Sequence, residues 1–128
     1  ELLSEYFSDV SVTEEGGARI DIHHRDLMIK IKNNIMKAPN VHDHTVEKLS
    51  RFFGISESLL KQEFKKLFKE NISEFVRYHA LAKSHYLLTT TTRDITEISE
   101  EVGYTWRQAF ENAFKKKFKY SPTKLINV

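Results

Sequence analysis

Residues 94–118 read DITEISEEVGYTWRQAFENAFKKKF, and the way this stretch folds decides how the rest of the chain is read. Asp94 has the chemistry of a helix N-cap, and Glu97 stands three residues on at the capping-box position. Ile95, Ile98 and Val102 then recur at three- and four-residue spacing, the period of one buried helical stripe. Gly103 ends that helix, since glycine enters a left-handed turn without steric cost. A second amphipathic run follows. At roughly 100° per residue, Trp106, Ala109, Phe110, Ala113, Phe114 and Phe118 fall on one apolar arc. Gln108, Glu111, Asn112, Lys115 and Lys116 fall opposite, with Arg107 on the border. A short capped helix, a glycine turn and a longer amphipathic helix form the outline of a helix-turn-helix.

The same outline occurs earlier, in TVEKLSRFFGISESLLKQEFKKLF at residues 45–68. Thr45, Val46, Leu49, Phe53 and Gly54 stand where Asp94, Ile95, Ile98, Val102 and Gly103 stand, at an offset of 49 residues. After the glycines the offset is 50, so one turn is a residue longer, and Phe64 and Phe68 match Phe114 and Phe118. Leu59, Leu60, Phe64, Leu67 and Phe68 make the apolar side of this copy, and Ser58, Lys61, Gln62, Lys65, Lys66 and Lys69 the polar side. The polar faces correspond: Ser58 with Gln108, Lys61 with Glu111, Gln62 with Asn112, Lys65 with Lys115. Two charges break the pattern, with Glu63 and Lys117 each lying on the apolar arc of its own helix.

Outward from the repeat the chain stays helical. Leu27, Ile31 and Ile35 predict a helix over about Asp26–Lys37 that stops before Pro39. Phe75, Val76, Leu81, Leu87 and Leu88 predict a linking helix over about Ile72–Thr89, ended by the hydroxyl-rich run Thr89–Thr92. Ser121–Pro122 starts a last short helix. The first 22 residues differ: Val10 and Val12 alternate, Glu14–Gly17 offers a turn, and Ile20 and Ile22 alternate again, as in a short hairpin or an ordered linker. The expected organisation is an all-α domain over residues 23–128, preceded by residues 1–22 as a linker or the remnant of an upstream domain.

Composition narrows the chemistry. With 40% hydrophobic and 12% aromatic residues in 128, the chain has the makings of one modest core. It contains no cysteine, which excludes disulfides, thiolate metal sites and cysteine nucleophiles. No apolar stretch approaches the ~18 residues of a membrane span. The net charge of +2 is unevenly spread. Residues 1–20 carry five acids against Arg19, leaving the other 108 residues with 19 Lys and Arg against 13 Asp and Glu. A basic body favours a polyanionic partner. His23–His24 and His42 with His44 adjoin loops, with Asp43 the only acid near the second pair, so no metal site is expected. No nucleophile–base pair or glycine-rich phosphate loop is visible, which points to neither an enzyme nor a cofactor.

The residue types on the two polar faces suit double-stranded DNA. Amide side chains pair with adenine, Arg or Lys with guanine, and Glu accepts from cytosine, while lysines one turn further on suit phosphates. The linking helix would span roughly 27 Å, near the ~34 Å of one DNA turn, so both longer helices could enter successive major-groove segments.

From about Asp26 to Leu125 the chain resembles the C-terminal DNA-binding domain of AraC/XylS-type transcription regulators. The residues that carry the resemblance are Asp94, Ile95, Ile98, Glu101, Val102, Gly103 and Tyr104, then Phe110, Phe114, Lys115 and Phe118, then Ser121 and Pro122. The resemblance implies seven helices, two helix-turn-helix units and a rigid linking helix. It implies base contacts by Ser58, Lys61 and Gln62 in one unit and by Arg107, Gln108, Glu111 and Asn112 in the other. Lys65, Lys66, Lys115 and Lys116 are the expected phosphate contacts. RNA polymerase as a partner, dimerisation through a missing N-terminal domain, and a bacterial cytoplasmic, nucleoid-associated setting follow from the resemblance alone. Several positions depart from the family: Lys119 replaces a glycine, which opens that turn to another geometry, and Ala80 and Ser84 replace an arginine and an alanine. Trp106 stands where a small polar residue is common and is expected to pack against the core or the neighbouring helix. The competing reading is a helical protein-interaction module without DNA-binding activity.

Overall fold

A computed structural model describes residues 19–126. Its helices are α1 (Arg19–Lys37), α2 (Val46–Phe53), α3 (Glu57–Phe68), α4 (Ile72–Thr90), α5 (Ile95–Glu101) and α6 (Arg107–Phe118), followed by a 3-10 helix at Pro122–Leu125. Among the described residues there are therefore six α-helices, the short last helix of the expected seven being a 3-10 turn, and the class is all-α. Ile20 and Ile22 lie in α1, not in a strand. The remainder of the expected hairpin, at residues 1–18, falls outside the described residues.

The boundaries follow from capping chemistry. Thr45, Ser56, Asn71 and Asp94 each accept a bond from the backbone N–H three residues on, at 2.9–3.2 Å, which satisfies donors that helix starts otherwise leave open. Gly54, Lys69 and Lys119 end α2, α3 and α6 in the left-handed conformation, with φ of 69°, 65° and 73°. Lys119 thus keeps the turn that glycine would make, its N–H donating to the Lys115 carbonyl at 2.8 Å. The threonine run ends α4 by a different device. Thr89, Thr90 and Thr91 turn their hydroxyls back to the carbonyls of His85, Tyr86 and Leu87, sharing acceptors of the helix ladder; the Leu87 carbonyl also takes the Thr91 N–H at 3.0 Å.

Two apolar cores form, and α4 belongs to both. Met28, Ile31, Ile35, Leu49, Leu60 and Phe64 meet Ile72, Phe75 and Val76 of α4 in the first. Ile95, Ile98, Val102, Phe110 and Phe114 meet Ala80, Leu81 and Leu88 of α4 in the second. Ala80 and Ser84 are fully buried there, and Ser84 donates its hydroxyl to the Leu81 carbonyl at 2.7 Å. With 19 residues, α4 is a rod about 28 Å long at 1.5 Å per residue. Each helix-turn-helix unit packs on one end of it.

Candidate nucleic-acid interface

Burying one stripe of each longer helix fixes what the other stripe shows. In α3, Leu60 and Phe64 are fully buried, and that turns Ser58, Lys61, Gln62, Lys65 and Lys66 outward to exposed positions. In α6, Phe110 and Phe114 are fully buried, and Arg107, Gln108, Asn112, Lys115 and Lys116 are exposed, with Glu111 half-buried. All eleven side chains singled out from sequence therefore sit on the outward faces of these two helices, α3 and α6.

The two faces differ in internal order. On α6, Arg107 Nε donates to Glu111 Oε2 at 2.7 Å and Arg107 also reaches Thr96 Oγ1 at 3.2 Å. Gln108 Nε2 donates to Asn112 Oδ1 at 3.1 Å. Four polar side chains are thus held as two pairs one turn apart, each worth a few tenths of a kcal/mol at the surface. These pairs order the face without locking it. On α3, Glu63 lies on the buried side as its place in the helical wheel indicated, 4.0 Å from His24 Nδ1.

Trp106 does not pack on the core. It is 72% exposed, because it is the N-cap of α6, with extended φ −115° and ψ 128°, and lies outside the helix whose wheel placed it on the apolar arc. Its indole makes no cap hydrogen bond. Ala109 is likewise exposed, so the buried arc of α6 is narrower than its sequence suggests. Lys117 is half-buried, and its ammonium sits 3.6 Å from the centroid of the Tyr78 ring on α4, a cation–π contact that the basic run gave no sign of. Beside it, Glu74, Arg77, Tyr78, Ala113 and Lys116 line an open groove of about 420 Å³ between α4 and α6. Arg77 adds an exposed cation to this groove. It lies in the linking helix, and no exposed face had been assigned to that helix.

Behind these faces, ionic contacts fasten α5. The Arg93 guanidinium and the Lys83 ammonium both reach the Glu101 carboxylate and hold its pKa below the usual glutamate value. Burial lowers the pKa of His79, with Lys32 and Lys117 acting in the same direction against Glu70. Burial raises that of Tyr104. His42 and His44 have separate partners: His42 faces Asp43 and Lys48, whereas His44 Nε2 meets the Ala38 carbonyl. Among the described residues no three metal-ligating side chains converge, and no helix is long and apolar enough to cross a membrane.

A family model described as a helix-turn-helix domain matches residues 49–127. The xylose operon regulatory protein of Escherichia coli K12 is 37% identical over 75 residues, covering 59% of this chain and 19% of that protein. The Msm operon regulatory protein of Streptococcus mutans is 34% identical over 79 residues, covering 62% of this chain and 28% of that protein. The chain therefore spans well under half the length of these relatives. Among solved structures, the C-terminal domain of AraT, a response regulator from Geobacillus stearothermophilus, superposes with a TM-score of 0.71 at 27% identity, covering 77% of this chain and 81% of that one.

Proposed function

The chain belongs to the AraC-type helix-turn-helix family, and from that premise we propose that residues 23–128 are the sequence-specific DNA-binding part of a bacterial transcription regulator. The observation that carries this reading is the pair of outward polar faces, on α3 and α6, at the two ends of one rod about 28 Å long. In this reading α3 and α6 enter successive major-groove segments on one side of the duplex. Ser58, Lys61 and Gln62 read bases in one groove, and Arg107, Gln108, Glu111 and Asn112 read them in the next. Lys65, Lys66, Lys115 and Lys116 anchor phosphates, which adds affinity without sequence information.

No catalytic step and no cofactor enters this reading. Residues 1–22, of which residues 19–22 lie in α1, are read as a linker or the remnant of an upstream domain that dimerises or senses a ligand. RNA polymerase is the proposed second partner and the bacterial cytoplasm, at the nucleoid, the proposed setting.

Selection of bound sequences from random duplexes, followed by footprinting, tests the proposal. Two protected major grooves about one turn apart are expected. Four phosphate lysines predict that log K falls with log salt at a slope of roughly −4. No enrichment at any salt would refute it and leave the protein-interaction module as the reading.

A further inference from the structure

A rod joining two units at its ends fixes their separation but resists rotation about its own axis only as far as each core grips it. A second, off-axis attachment is needed to set the angle between them. The loop between α1 and α2 supplies one. Val41, half-buried, packs against both cores, and its N–H donates to the Val102 carbonyl at 2.9 Å. Next to it the Asn40 amide donates through Nδ2 to the Glu101 carbonyl at 3.0 Å. The Asn40 carboxamide oxygen meanwhile accepts from the backbone N–H groups of His42 and Asp43, each at 2.9 Å. One side chain therefore ties its own loop and grips the C-terminal end of α5.

Gly103 completes the arrangement. A Cβ there would stand 2.2 Å from Asn40 Oδ1 and 2.7 Å from the His42 nitrogen, so the loop and the turn of the second unit touch backbone to backbone. On the loop's other side, Lys48 Nζ donates to the His42 carbonyl at 2.9 Å, which carries the attachment into α2 of the first unit. The chain of contacts runs from α2, through the loop, to the α5–α6 turn without passing through α4.

We propose that Asn40, seated against Gly103, is a positioning residue that locks the two helix-turn-helix units together and so sets the spacing and phase at which α3 and α6 meet DNA. Asn40 touches no base in this account and acts through the Glu101 carbonyl. The proposal rests on the DNA-binding reading for its consequence, but not for its geometry.

The experiment has one arm without DNA and one with it. Because the chain has no cysteine, Lys65→Cys and Lys115→Cys place one spin label on α3 and one on α6. Pulsed dipolar spectroscopy then reads the distance distribution between them. Asn40→Asp keeps the oxygen that caps the loop but turns a donor into a carboxylate facing the Glu101 carbonyl; Asn40→Ala removes both functions. Both variants are expected to broaden the distribution while helix content by circular dichroism stays that of the parent. An unchanged distribution in both overturns the proposal. In the second arm, without the labels, Asn40→Asp is expected to bind a selected two-groove duplex about tenfold more weakly if only a tenth of molecules hold the competent angle. Its affinity for a duplex carrying one protected groove stays within about twofold of the parent, since a single unit pays no such orientational penalty. One base pair inserted between the grooves harms the parent more than Asn40→Asp. Equal losses on one-groove and two-groove duplexes overturn the positioning role. If the parent binds no duplex, the DNA reading fails, and the dipolar arm still decides whether Asn40 orders the two units.

Discussion

Gly103→Ala and Gly54→Ala make a matched pair, because both glycines end the first helix of a helix-turn-helix unit at positive φ, 95° and 69°. An L residue at such an angle costs about 1–2 kcal/mol, and the lower entropy of the unfolded alanine chain returns about 0.4–1 kcal/mol. Around Gly54 there is nothing within 4 Å of the new methyl, so about 1 kcal/mol should be the whole effect. At Gly103 the methyl lands on the Asn40 carboxamide and the His42 backbone. Relief means moving a side chain that makes three hydrogen bonds and a loop that makes a fourth to Val102. At about 1 kcal/mol for each bond lost, losing two or three of these four on top of the backbone cost of about 1 kcal/mol brings Gly103→Ala to about 3–4 kcal/mol in total. That is a large share of a domain stability of about 5–15 kcal/mol. Urea unfolding reads the difference: with slopes of about 1–3 kcal/mol per molar, the Gly103→Ala midpoint should fall by about 1–4 M and that of Gly54→Ala by at most about 1 M. Adding Asn40→Ala to Gly103→Ala should cost less than the sum of the single losses, since the two residues contact. Equal midpoints for the two glycine variants would refute this reasoning, because the loop would then yield freely.

Other positions give independent checks. Arg107→Ala or Gln108→Ala should relax preference at particular bases in a selection experiment, whereas Lys115→Ala should weaken all duplexes alike and reduce the salt slope by about 1. Trp106→Ser should stabilise the fold by about 0.5–1 kcal/mol by supplying the missing cap on α6, with a higher urea midpoint as the readout; a loss above about 1 kcal/mol would mean the indole packs after all. Lys119→Gly should stabilise the fold by about 0.5–1 kcal/mol, read as a higher urea midpoint, because the left-handed turn is strained for lysine. Glu101, whose folded pKa is depressed, contributes stability above its unfolded pKa that is lost as pH falls through the folded value. Wild type should therefore exceed Glu101→Gln at neutral pH by at most about 1 kcal/mol, the carboxylate being partly solvated, and lose that advantage in acid.

What sequence could and could not reveal has a physical pattern here. Helix boundaries were legible because they depend on local chemistry: Thr45 and Asp94 cap within three residues of themselves. The outward faces were legible because helical period alone separates Lys61 from Phe64 or Asn112 from Phe114. The failures begin where the period stops applying. Trp106 belongs to the arc only if it is helical, and as an extended N-cap it leaves that arc. Ile20 and Ile22 alternate as a strand would, but α1 extends through them, since a three-residue alternation is too short to outweigh a helix continuing from Asp26.

The least legible feature is also the one on which the relative geometry of the two outward faces turns. Asn40 and Glu101 are 61 residues apart, and no periodicity, cap or motif relates them. The repeat itself hides the link: its copies run from Thr45 and from Asp94, and the loop holding Asn40 lies before the first of them. Duplication accounts for two similar units but says nothing about the angle between them. That angle requires a contact that breaks the repeat's symmetry, and the steric record of it is the difference between two equivalent glycines. Gly54 faces open space and Gly103 faces Asn40 and His42. Tandem units sharing one helix should in general show such an asymmetry wherever a loop of one is seated on the turn of the other.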